Sequence, residues 1–195
     1  MKITKNFSFW EFGPKGCGKS WVPDNENQKS MIYILTENIQ KLRDKANTLK
    51  KSSSVAINIS SGIRTMADYY RLQGSGYNPS QTSDHFCGTA MPLEVGTDKY
   101  KKFGSTYNFS SGAGDCVVVG MPTYDFFKMA MDEFRLTHVK FGQIIYEKDP
   151  IKKVDWVHLS GAYENYFSDS IVRWLDKKPF LKSLNGGKSY TVAVA

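Results

Sequence analysis

Between Asn27 and about Leu49 the apolar residues Met31, Leu35, Ile39, Leu42, Ala46 and Leu49 recur at intervals of three and four. This spacing lines them along one stripe of an α-helix, and an amphipathic helix in water is stable only when that stripe is covered. After a Lys- and Ser-rich loop at 50–54, Val55, Ile57 and Ile59 alternate with smaller or polar residues, the pattern of a strand with one buried face. Ser60-Ser61-Gly62 then turns the chain. A short helix is expected over 65–73, followed by a loop at 74–79, where Gly, Ser, Asn and Pro cluster.

Residues 88–95 read as a second strand, interrupted or displaced to an edge by Pro92 because proline cannot donate to a ladder. The stretch 96–114 is rich in Gly, Ser, Lys and aromatics without a sustained period, so a long surface insertion is expected there. Residues 116–119 read as a short strand. Residues 123–136 read as a helix with Phe126, Phe127, Ala130, Met131 and Phe134 as its core face and Thr123 as its cap. Two further β-rich runs, 141–146 and 154–159, flank Lys148-Asp149-Pro150 and suit an antiparallel pair. The order implies an α+β fold, a small antiparallel sheet with helices packed on one side.

With 195 residues, 41% of them apolar, the chain can bury a core without staples. One domain is expected over 1–160, including an aromatic N-terminal arm at 7–12 and the insertion near 96–114, with a C-terminal extension at 161–195. Cys17, Cys87 and Cys116 are too few and too irregularly spaced for a disulfide framework or a cysteine-only metal site. The N-terminus lacks the apolar centre of a signal peptide, and no apolar run is long enough to span a membrane, so a soluble protein made in a cytoplasm is expected. The net charge of +7 favours anionic surroundings such as cell-wall polymer or nucleic acid. Because the lysines are scattered, a solvated basic surface is the simpler account, and nucleic acid the weaker partner.

Gly13-Pro14-Lys15-Gly16-Cys17-Gly18-Lys19-Ser20 fits the phosphate-loop pattern. Its context does not: a phosphate loop opens a helix, whereas Trp21-Val22-Pro23-Asp24 signals a turn. A Gly-rich turn is expected instead. His138, ahead of a strand, is expected to be a structural or surface histidine rather than a ligand, and Trp156 a core or wall aromatic.

Other residues form an ordered series: a strand ending in Ser61-Gly62-Ile63-Arg64, a short helix, a loop, Ser83-Asp84-His85-Phe86-Cys87-Gly88-Thr89-Ala90, and a late Asp155-Trp156-Val157-His158. The series resembles the zinc D-Ala-D-Ala carboxypeptidase family, which includes vancomycin-resistance dipeptidases and phage endolysin peptidases and shares the Hedgehog/DD-peptidase fold. The resemblance runs from Phe7 to about Ser160. Phe7 with Glu11-Phe12, Leu42-Arg43-Asp44 and Phe141-Gly142-Gln143-Ile144-Ile145-Tyr146 look like phage members in particular.

The resemblance implies that His85 and His158 bind zinc, that Asp155 acts as general base, and that Arg64 steadies the substrate carbonyl. The family places a ligand Asp seven residues after the first His, and here that position is Pro92. Glu94, Asp84, Asp115 and Cys87 are possible substitutes. Glu94 is the first candidate, because it lies two strand positions after Pro92 and could share its face. In a flat strand Asp155 and His158 project to opposite faces, so their joint use requires a bulge near Trp156. The expected function is that of a degenerate phage-type peptidoglycan peptidase, catalytically impaired, serving as a virion or cell-wall-binding component, with peptidoglycan or other virion proteins as partners. The alternative is an active zinc D,D- or L,D-peptidase with a substitute third ligand.

Overall fold

The amphipathic stripe forms α1, Glu26–Lys50. Asn25 caps it by accepting from the Gln28 amide, and Lys51 ends it in a left-handed conformation at φ 49°. Met31, Leu35, Ile39, Leu42 and Ala46 are buried as the spacing requires, while Leu49 is exposed near the end of the helix. A computed structural model describes residues 1–23, 25–77, 79, 83–87, 90–93, 95–108, 112–161, 180–184 and 189–193.

The strands are β1 (Ala56–Ser61), β2 (Ala90–Pro92), β3 (Thr106–Asn108), β4 (Ala113–Val119), β5 (Phe141–Asp149), β6 (Val154–Gly161), β7 (Phe180–Ser183) and β8 (Thr191–Val192). Six form one sheet in the order β1-β4-β6-β5-β7-β8. The remaining helices are α2 (Met66–Gly74), α3 (Asp98–Phe103) and α4 (Thr123–Arg135). This is the α+β architecture expected, with two differences. β7 pairs with β5 in parallel, so the sheet is mostly rather than wholly antiparallel, and β2 leaves the main sheet to form a separate pair with β3.

The core lies between α1, α4 and one face of the sheet. Leu35, Ile39, Phe126, Phe127, Ile57, Cys116, Ile144, Val157 and Leu159 meet there, fully or almost fully buried. Burying an aliphatic or aromatic side chain of this size contributes about 1.5–3 kcal/mol, so this apolar layer is the main stabilising element. Polar groups of α1 lock it to the sheet: Asn47 accepts from the Val55 amide and donates to its carbonyl, and Asn38 accepts from the Lys140 amide.

The N-terminal arm packs as expected, with Phe7, Phe9 and Phe12 buried and a 3-10 turn at Phe9–Phe12. Residues 13–23 form no helix, which removes the context a phosphate loop needs. The insertion carries local order that its composition hides, namely α3 and β3. Thr123 is the first buried residue of α4 rather than its cap; Pro122 takes that position without a side-chain bond. β4 begins at Ala113, before the expected start at 116, and β5 runs on to Asp149, beyond the expected end at 146. Both extensions matter to the site.

Candidate metal centre

The segment after β1 is laced between the arm and the short 3-10 helix Asp84–Phe86. Ile63 N donates to Phe12 O at 2.7 Å, and Arg64 N donates to His85 O at 2.7 Å. Gly62 is pressed against the arm so closely that an added Cβ would stand 2.5 Å from the Phe12 carbonyl carbon. Its own carbonyl lies 2.6 Å from His85 Nδ1. A carbonyl can only accept, so Nδ1 carries the proton and Nε2 of the neutral ring is left with its lone pair. That is how histidine ligands are oriented for a metal.

His85 Nε2 faces Asp115 Oδ1 at 3.3 Å, and the same oxygen is 2.9 Å from His158 Nδ1. Sheet register explains the second contact, because Asp115 on β4 pairs directly with His158 on β6. The two imidazole rings are 5.0 Å apart and steeply inclined. One donor atom from each of the three residues lies within 4.8 Å of the others. Tetrahedral zinc with bonds of 2.0–2.1 Å separates its donors by about 3.3 Å, so the residues fit such an ion. Two imidazoles and one carboxylate leave a fourth position open, as catalytic zinc sites do.

Both histidines are buried, and Asp115 is nearly so. Burial opposes ionisation of Asp115, but the charge that His85 carries when protonated and the bonds to His158 and His85 overcome it and hold the carboxyl well below the usual range. For His158 burial favours the neutral ring, yet the hydrogen bond and charge of Asp115 raise its pKa above the ordinary value. Arg64 is half-buried, with its side chain donating to Ser83 Oγ at 3.4 Å. Desolvation lowers its pKa, and the charges of Asp115, Asp68 and Glu147 work against that fall. The guanidinium is therefore within electrostatic reach of Asp115.

The third ligand candidate brought to the histidines is Asp115, one of the four alternatives. Glu94 lies outside the described residues. Cys87 is buried away from the cluster, its Sγ 3.9 Å from Met31 Sδ, and burial pushes its thiol up to about 12. Asp84 reaches His158 through its charge. Pro92, exposed on the β2–β3 pair, is not part of the cluster.

Asp155 does not join it either. The β5–β6 register runs unbroken from Asp155↔Lys148 to His158↔Ile145, so no bulge turns Asp155 toward the histidine face. Its carboxylate accepts from the Tyr146 hydroxyl at 3.0 Å, and Tyr146 packs on Tyr124 and Phe127 of α4. His138 is an exposed surface histidine, 2.8 Å from Glu133 Oε2, and Glu133 also pairs with Lys45.

Sequence reasoning missed Glu147 and Tyr190. Glu147 is buried on β5 and accepts from the Tyr190 hydroxyl at 2.7 Å. Burial raises its pKa, and it feels the charges of His158, Asp115 and His85. An acidic residue alternating with Ile145 was the available signal, concealed because the strand was expected to stop at Tyr146.

Comparison with protein-family models, with curated proteins and with solved structures finds no match to this chain. The class defined by fold and site is an α+β chain with a His85, Asp115 and His158 cluster able to hold a metal ion. Among the described residues no helix is long and apolar enough to cross a membrane.

Proposed function

We propose that this chain is an active zinc peptidase that cleaves peptidoglycan stem peptides. The observation that carries the reading is the convergence of His85, Asp115 and His158, with His85 already oriented by Gly62 O. The expectation of an impaired binding or virion component rested on Pro92 standing at a ligand position. Asp115 supplies the carboxylate from β4 instead, which favours the active alternative. The resemblance of the ordered motifs supports the peptidoglycan substrate and the choice of zinc, and a two-imidazole, one-carboxylate donor set suits that metal.

His85, Asp115 and His158 would hold the ion. When bound, zinc supplies Lewis acidity, polarising a carbonyl and acidifying water. Arg64, anchored through Ser83 and through its amide to His85 O, presents a fixed cation to the substrate carbonyl oxygen or a carboxylate. Burial of the cluster lowers the local dielectric and strengthens that attraction.

The test is metal content by mass spectrometry joined to fragment release from purified peptidoglycan. One zinc per chain is expected, lost in His85→Ala and in Asp115→Ala, with cleavage lost in parallel. A folded wild-type protein that takes up no zinc on addition refutes the reading.

A further inference from the structure

A second carboxylate shares the face of the sheet that bears the cluster. Residues two apart on a strand point to the same side. Ile145 pairs with His158 and Glu147 pairs with Trp156, so Glu147, Trp156, His158 and Asp115 share one face. Tyr146 and Val157, lying between them, belong to the core under α1 and α4. Two positions along a strand displace Glu147 by roughly 6–7 Å from the Ile145–His158 pair. Its carboxylate is not among the ligand atoms that lie within 4.8 Å of one another, which suits a group that reaches the centre across one water.

The surroundings of Glu147 also fit such a task. The groups coupled to it from neighbouring elements are His158 on β6, Asp115 on β4, His85 on the 3-10 helix, Arg64 after β1, and Tyr190 ahead of β8. Tyr190 donates to Oε1, which fixes one carboxylate oxygen and leaves Oε2 to act. Across the strand pair, the Trp156 indole N–H is buried without a hydrogen-bond partner among the described residues. Asp155, by contrast, is engaged by Tyr146 on the other face.

We propose that Glu147 is the general base of this centre and that Tyr190, from the C-terminal segment, is its positioning residue. The inference rests on the peptidase reading. In the step, Glu147 takes one proton from the attacking water as the water oxygen bonds to the carbonyl carbon. Glu147 then passes that proton to the amide nitrogen as the C–N bond breaks, which returns the carboxylate and releases an amine and a carboxylic acid.

Glu147→Gln keeps the shape and removes the basicity. Its expected result is a fall in kcat of about 10²–10⁴-fold with one zinc per chain retained, because Glu147 is not a ligand. Tyr190→Phe should lower kcat several-fold at unchanged KM. It should also move the acid limb of kcat/KM to higher pH, since the lost donor stabilised the ionised carboxylate. A readout independent of turnover is the cobalt(II)-substituted protein, whose visible band follows ionisation of the water on the metal. Glu147→Gln should shift that midpoint by about one pH unit.

Full activity in Glu147→Gln, or loss of activity in Asp155→Asn alone, overturns Glu147 as base and leaves the metallopeptidase intact. Loss of zinc in Glu147→Gln makes it a ligand and overturns the role as well. If the wild-type protein cuts no peptide, an unmoved cobalt midpoint in Glu147→Gln still refutes the inference. Failure to bind either metal refutes the reading beneath it.

Discussion

Gly62→Ala is the substitution that most directly couples the arm to the site. The added methyl would lie 2.3 Å from Phe12 O and 2.5 Å from Phe12 C, both backbone atoms that cannot rotate away. Either the arm moves out or the segment 62–64 moves in. The first course breaks the 2.7 Å bond from Ile63 N to Phe12 O and loosens Phe12, which is buried. The second shifts the carbonyl that holds His85 Nδ1. Overpacking costs about 1–3 kcal/mol and one lost hydrogen bond about 0.5–1.5 kcal/mol, so about 2–4 kcal/mol is expected. For a chain of this length that lowers Tm by roughly 5–15 °C. Displacing a group that orients a metal ligand also weakens metal affinity by about 10- to 100-fold. Thermal unfolding of the metal-free protein and competition with a zinc chelator measure the two effects. A Tm and an affinity both equal to wild type would refute the close approach of Gly62 to the arm and the role of its carbonyl.

Pro92→Asp, which restores the acidic residue of the resembled motif, should leave zinc stoichiometry at the wild-type value, because Pro92 is exposed on the β2–β3 pair; a second zinc or a tightened site would contradict this placement. Tyr146→Phe removes the hydroxyl bound to Asp155 and should cost about 1–2 kcal/mol in denaturant unfolding without loss of zinc, whereas zinc loss would tie that face to the centre. The stabilisation conferred by zinc should grow between pH 6 and pH 8. His158 has its folded pKa raised above 6.5, so in the metal-free chain its contribution is complete below 6.5 and fades as pH rises through the folded value. The metal must displace that same proton, so its binding strengthens over the same interval. A zinc-induced rise in Tm that shrinks with pH would refute this sign.

The helices and most strands were legible because their signals are local. Met31 through Ala46 and Phe126 through Phe134 repeat every three or four residues, and that period alone marks a buried face. The two histidines of the cluster were legible as members of an ordered series of motifs. The carboxylate that joins the histidines was legible only as one of four substitutes and not as the first choice, because a fixed spacing after His85 points to Pro92, while the chain makes α3 and the β2–β3 pair before Asp115 enters the sheet. Asp155 was chosen by its distance along the chain from His158, and strand alternation sends it to the other face.

The sequence by itself determined the α+β class, the stripe of α1, the arm and the two imidazoles, since each is written in residues close together or in a recurrent pattern. Only the tertiary structure decided which carboxylates meet those imidazoles. Asp115 faces His158 because β4 lies beside β6, and Glu147 shares their face because β5 continues past Tyr146 in unbroken register. Tyr190 reaches Glu147 across residues far apart in the chain, with β7 and β8 ordered on the edge of the sheet. Such meetings depend on strand order and register, which are set by burial of the whole core rather than by any local run of residues.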